Sequence, residues 1–284
     1  MKGTGMYKTI VVHIDGSRQQ ESRLRAAALL AGAHGAHLVG AAATGVSWLD
    51  LALLSGAASA PVPVADFDEL RETATARLRQ FEEQAARLGV GSVESRLIED
   101  AAGSGLLLES RYADLMVLSQ DPRPAPGLPL RARGMPEHLA IRGTRPVLVV
   151  PEDYRVQVLP GIVVAGWDGS LQALRAITAA LPLLAAADSV KLVLVNPDAR
   201  SALHGEQPGA DLALYLARHG VRVEVVLERT GSTVGNALMA LARDSGAALM
   251  VAGVYGHSRY RELALGGVTR ELLERAPVPL LIAH

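Results

Sequence analysis

With 284 residues, 49% of them hydrophobic and 20% charged, the chain is long enough for roughly two packed domains and too apolar for disorder. Aromatic residues make up only 4%, so its cores are aliphatic, and a formal net charge of −1 supplies no field that would draw nucleic acid or an anionic membrane. The absence of cysteine excludes disulfides, thiolate chemistry and Cys-ligated zinc. With no apolar h-region near Met1 and no apolar run of about 18 residues, a soluble cytoplasmic chain without a membrane segment is expected.

Lys8 to Ile14 has the β-branched enrichment of a strand, and Asp15-Gly16-Ser17 turns it into a helix over Arg18 to Ala33 with Leu24, Ala27, Ala28 and Ala31 on one face. His37 to Ala43 is the next strand. Residues 44–65 then interrupt the pattern with Trp48, Leu49, Leu51, Leu53 and Leu54 followed by small residues and prolines, which predicts an insertion with about one helical turn. Asp66 to Leu88 places Phe67, Leu70, Ala74, Leu78, Phe81 and Ala85 at helical spacing, and Gly89 stops it. A strand over Ser92 to Ile98, a short helix over Ser104 to Arg111 and strands at Leu115 to Leu118 and Val147 to Val150 complete this half.

The pattern then repeats. Ile162-Val163-Val164-Ala165-Gly166-Trp167-Asp168-Gly169-Ser170 restates the first strand and its Asp-Gly-Ser turn, Ala248 to Gly253 restates Asp114 to Ser119, and Val278 to Ala283 restates Arg145 to Val150. Between them lie a helix over Leu171 to Ala186, a strand at Lys191 to Val195, an insertion at 196–208, and a helix from Ala210 to His219. A strand from Val221 to Leu227 and a helix from Thr233 to Ser245, capped by Ser232 or Thr233, come before the last repeat. Strands alternating with helices predict an α/β chain of two tandem doubly wound open parallel sheets of about five strands each, Rossmann-like, with ligands outside the carboxyl ends of the strands. The connection Pro151 to Pro160 places the boundary between domains at 1–151 and 152–284.

The final repeat carries a strand, then Gly253, Gly256 and the pair Gly266-Gly267, then an amphipathic segment and a closing strand. Glycines allow close backbone approach to a ligand, and a helix start offers unpaired N–H groups and a positive dipole end, so the order is that of a phosphate cradle. The spacing Gly-x2-Gly-x9-Gly resembles the nucleotide motif of the universal stress protein family, with Gly267 standing where that family normally has Ser or Thr. The resemblance covers nearly the whole chain as a tandem pair and implies the family's adenine nucleotide alpha hydrolase-like fold. It also implies ATP or another adenine nucleotide, with or without Mg²⁺. Carried over by position, Trp167 and Asp168 and the backbone at Leu194 would hold adenosine, and Ala252, Gly253, Gly256, Gly266, Gly267 and Val268 would hold phosphates. His257 and Arg259 lie inside the loop, where an arginine would neutralise phosphate. The resemblance further implies edge-to-edge pairing of Val147 to Val150 with Leu280 to Ala283 as an intrachain pseudo-dimer; it leaves a homodimer and a protein partner open.

In the first half, Gly253, Gly256 and Gly266 correspond to Ser119, Pro122 and Arg133, and the run Asp121-Pro122-Arg123-Pro124-Ala125-Pro126 cannot present the same row of N–H groups. That half is therefore expected to have lost its site. No His, Asp or Glu set has the spacing of a metal site, so no metal ligands are assigned, and Trp48 and Trp167 are expected to fill core or interface. No Gly-x4-Gly-Lys-Ser/Thr loop, Gly-x-Ser-x-Gly elbow or His-Glu-x-x-His occurs, and no lysine lies in the glycine loop. No catalytic residues are assigned; weak ATP hydrolysis is the most that the composition of the loop supports. The function expected is that of a nucleotide-responsive stress or regulatory protein, with a slow adenine-nucleotide hydrolase or a structural interaction protein that binds no nucleotide as the alternatives.

Overall fold

The apolar runs form strands β1 (Thr9–His13), β2 (His37–Ala43), β3 (Val93–Ile98), β4 (Leu115–Ser119) and β5 (Val147–Val150) in the first half, and β6 (Ile162–Gly166), β7 (Ser189–Val195), β8 (Val223–Glu228), β9 (Leu249–Gly253) and β10 (Leu280–Ala283) in the second. The computed structural model describes residues 6–57, 64–121, 134–155, 159–197, 207–255 and 267–284. Helices α1 (Gln20–His34), α2 (Trp48–Ala57), α3 (Val64–Arg87), α4 (Ala102–Glu109) and α5 (Met135–Arg142) belong to the first half. Helices α6 (Leu171–Ala186), α7 (Ala210–Arg218), α8 (Val234–Asp244) and α9 (Gly267–Arg275) belong to the second.

In the first half the strands lie in the order β3-β2-β1-β4-β5, and the second repeats it as β8-β7-β6-β9-β10, with parallel pairing inside each. The two half-sheets do not stay separate. Strand β10 pairs antiparallel with β5 in the register Leu280↔Val149, Leu281↔Leu148 and Ile282↔Val147, which makes one ten-stranded sheet. The edge-to-edge pairing expected for these two segments is thus the seam of the molecule.

Both faces of the inner strands are covered, which is why they read as apolar runs, whereas the outer strands β3 and β8 carry charged and partly exposed residues. Ile10 and Val12 face a core shared with Leu24 of α1, Phe81 of α3, Ile177 of α6 and Leu216 of α7. Val11 faces the other core, with Leu106 of α4, Leu139 of α5, Leu238 of α8 and Leu272 of α9. A hydrogen bond also ties the halves together, the Tyr7 hydroxyl donating to the Ala179 carbonyl at 2.8 Å, and Tyr154 of the connection donates to the Ala248 carbonyl at 2.8 Å.

Three local expectations need correction. The insertion at 44–65 holds more than one turn: α2 is ten residues long. Its signal is a capping box, in which the Ser47 hydroxyl accepts from the Asp50 N–H at 3.0 Å and donates to the Asp50 carboxylate at 2.7 Å. Trp48 does not fill a core; it is 40% exposed and meets the Phe67 ring edge-on at 5.6 Å. Helix α1 also starts at Gln20 rather than Arg18, because the Gln20 side chain is used to close the preceding turn. Thr233 caps α8, accepting from the Asn236 N–H at 3.2 Å.

Leu281 and Leu148 are opposite one another on the seam and fully buried. Leu281→Ala is expected to cost about 2–5 kcal/mol in urea unfolding. Because the sheet is continuous, fluorescence and far-UV circular dichroism should report one coincident transition for both halves; separate transitions would contradict a shared core.

Candidate functional site

In each half the strand order reverses beside the first strand, and the crevice outside the carboxyl ends at such a reversal is where open sheets take ligands. In the second half this point lies between β6 and β9. Trp167 follows β6, donating its N–H to the Val193 carbonyl at 2.9 Å, and its ring packs half-buried against the core. Asp168 comes next, half-buried, and its carboxylate accepts the Ser170 N–H at 3.0 Å to close an Asx turn around Gly169, whose φ is +78°. Ser170 then caps α6 by accepting from the Ala173 N–H at 3.2 Å.

Across the crevice, β9 ends at Gly253 after the buried Ala252. A methyl group on Gly253 would run into the backbone nitrogen of Ala173 and the carbonyl carbon of Gln172. The glycine is therefore demanded by the approach of α6 to the end of β9, whatever else it does. Leu194 is fully buried, with its side chain under Gly209, so any contact it makes with a ligand is through its main chain. Gly267 opens α9, exposed, with nothing among the described residues within 4 Å of where a methyl on it would stand, and Val268 is 37% exposed on the first turn. Packing leaves the backbone of that turn approachable. Gly256, His257, Arg259 and Gly266 lie outside the described residues.

Three residues of this site carry no signal in the sequence pattern. Tyr255 adopts φ +59°, uncommon for a residue with a side chain. Its N–H donates to the hydroxyl of the buried Thr269 at 3.3 Å, which brings the two ends of segment 256–266 together. Its own hydroxyl donates to Glu137 of α5 at 2.7 Å, and burial together with that carboxylate pushes its pKa well above the ordinary tyrosine value. Asn196, also at positive φ, exchanges hydrogen bonds with Thr230 beyond the ends of β7 and β8, its amide donating at 3.0 Å and its carbonyl accepting at 3.1 Å. The Gly-x2-Gly pattern points to glycines, whereas Tyr255 and Thr269 have no spacing of their own to mark them.

The first half has the same frame with different chemistry. Asp15 makes the matching Asx turn, accepting the Ser17 N–H at 2.9 Å. It is paired with Arg23 at 2.7 Å, a guanidinium only 1% exposed that also donates to the Ser119 hydroxyl at 2.8 Å. Burial alone would raise the Asp15 pKa, but the Arg23 charge and hydrogen bond outweigh it and hold the carboxyl well below its usual range. The pKa of His13, 3.9 Å from Asp15, is lowered as well, by burial first and then by the Arg23 cation, with Arg77 adding to the effect and Asp15 opposing it; it falls from 6.5 to about 4. The proline run from Pro122 to Pro126, on which the expected loss of this site was based, lies outside the described residues. Asp121, just before it, accepts the Gly134 N–H at 2.8 Å.

Among the described residues, no group of three or more His, Asp or Glu side chains is placed to hold a metal, and no helix is long and apolar enough to cross a membrane.

Two consequences follow from this geometry. Gly253→Ala is expected to destabilise the ligand-free protein by about 1–3 kcal/mol, read as a lower thermal midpoint, since α6 must move to admit the methyl; an unchanged midpoint would show that the contact yields freely. His13 stays neutral when folded while its unfolded counterpart protonates below 6.5, so stability falls as pH drops from 6.5 towards 4. His13→Gln should remove roughly 3 kcal/mol of that loss in urea titrations across the window, and an identical pH slope in both proteins would contradict it.

The model of the universal stress protein family matches residues 161–284. A universal stress protein from Archaeoglobus fulgidus is similar over 96% of this chain and 97% of its own, at 15% identity and a TM-score of 0.68. One from Pseudomonas aeruginosa, described as a putative universal stress protein, is similar over 98% and 93% of the two chains, at 14% identity and a TM-score of 0.60. A universal stress protein solved in complex with cAMP matches 51% of this chain and 98% of its own at 26% identity and a TM-score of 0.40. No curated protein sequence matches. Residues 161–284 match the universal stress protein family, and the chain as a whole shares its fold, nearly from end to end, with the two-domain structures it is similar to.

Proposed function

We propose that the second half binds an adenine nucleotide, ATP or a relative, in the crevice between β6 and β9, and that occupancy biases the chain's conformation or its contacts with a protein partner. In this reading the chain divides at 151/152. Asp168 holds the ribose, Trp167 and the main chain at Leu194 border the base, and backbone N–H groups from Ala252 and Gly253 through Gly256, Gly266, Gly267 and Val268 hold the phosphates. His257 and Arg259 lie on the same loop. The observation that supports the reading is that Asp168, just past the end of β6, and Gly253, at the end of the adjacent strand β9, both follow strands that flank the switch point, in the half that the family model matches. The open first turn at Gly267 fits an anion, because a helix start presents unpaired N–H groups and the positive end of its dipole. Mg²⁺ would arrive with the phosphates, since magnesium keeps much of its water and is commonly held by phosphate oxygens with only one or two carboxylates.

The residues bind and orient; none of those described is placed as a base beside a lysine on the phosphates, so the reading is a sensor rather than a dedicated phosphoryl-transfer enzyme. Isothermal titration with ATP should give saturable binding, and Asp168→Ala should weaken it about 10–100-fold by loss of a hydrogen bond to a charged acceptor while the thermal midpoint of the free protein changes little. Absence of binding by the native chain, or unchanged affinity in the variant, would refute the assignment.

A further inference from the structure

The first half keeps the frame of the second but fills its crevice with its own side chains. Counting from the shared Asp-Gly-Ser turns, Gln19, Gln20 and Arg23 of α1 occupy the places of Gln172, Ala173 and Ala176 of α6. The contacts follow the same register: the Ser119 hydroxyl reaches the Gln19 carbonyl at 3.4 Å, while the matching Gly253 abuts Gln172 and Ala173. With no side chain at Gly253, α6 closes directly onto β9. With a serine at 119, α1 stands off, and the Arg23 guanidinium lies in the gap.

We infer that Arg23 is a built-in occupant of the first half's ligand crevice, satisfying from within the chain the groups that a nucleoside would otherwise meet. Its guanidinium holds the Asp15 carboxylate and the Ser119 hydroxyl, the counterparts of Asp168 and Gly253. Gln20 completes the closure: its side-chain carbonyl accepts the N–H groups of Asp15 at 3.1 Å and Gly16 at 2.8 Å. Arg77 lies over the turn, with its Nε 2.9 Å from where a methyl on Gly16 would stand. The fold does not need this cation, because Ala176 packs fully buried at the matching place on the same kind of helix. Nor is the ion pair an ideal core element: Arg23 Nε is buried without a partner, and a buried ion pair is weak grounds for stability by itself. Its consequence is exclusion, making the first half independent of ligand and leaving one responsive crevice per chain.

The inference rests on the proposed nucleotide reading for the identity of the crevice, and two measurements separate the two claims. Arg23→Ala empties a space shaped for a guanidinium, so about 10 mM guanidinium chloride should raise the thermal midpoint of that variant and not of the native chain. This response needs no nucleotide. Equilibrium dialysis with labelled adenosine should count one site per native chain and two per Arg23→Ala chain. If the single variant does not fold, Arg23→Ser, which keeps Asp15 and leaves a small hydroxyl beside it, carries the same dialysis measurement. A folded variant chain that binds no more adenosine than the native one, or an Arg23→Ala chain indifferent to guanidinium, overturns the inference. A native chain that binds none, with the guanidinium response intact, overturns the nucleotide reading instead.

Discussion

The antiparallel pairing of β5 with β10 is the constraint from which the rest of the architecture follows. Each strand is four residues long, apolar and buried on both faces, and each would be an exposed edge if its half stood alone. An unpaired apolar edge is a template for association with other chains. Joining the two edges within one chain removes both, and leaves β3 and β8 as the outer edges of the sheet.

The same pairing sets the direction of the functional ends. Strands are parallel within each half, so antiparallel contact at the seam points the carboxyl ends of the two halves in opposite directions. The two crevices therefore open at opposite ends of the sheet, and one ligand cannot bridge them. Each half answers for its own crevice, and each has been resolved differently: glycine and small residues beside Asp168, a guanidinium and a carboxamide beside Asp15. What links the halves near the second crevice is Tyr255, which is held by Thr269 on one side and reaches Glu137 of the first half on the other.

Much of this was legible in the sequence because repeats and apolar runs report directly on packing. The duplicated strand ending in Asp-Gly-Ser, the ten strands and a cap at Ser232 or Thr233 were readable from period and turn chemistry, whereas the seam was implied only by the family resemblance. Helix α2 was read as only about one turn although Ser47 and Asp50 mark its start, because the prolines and small residues that follow argue for a loop. Loss of the first half's site was expected from prolines and missing glycines, most of which lie outside the described residues; what the structure shows in that half is Arg23 buried against Asp15 and Ser119, a placement that spacing does not reveal. Gly253 shows the converse. Its place in a ligand motif suggested a phosphate contact, while its neighbours show that the helix backbone alone requires it.

A crystal structure of the chain grown with an adenine nucleotide tests the central claim most directly. The account predicts density between β6 and β9 beside Asp168, with the Arg23–Asp15 pair undisturbed in the other half. Density beside Asp15 with Arg23 swung aside, or a crevice next to Asp168 closed by the chain's own side chains, would contradict it.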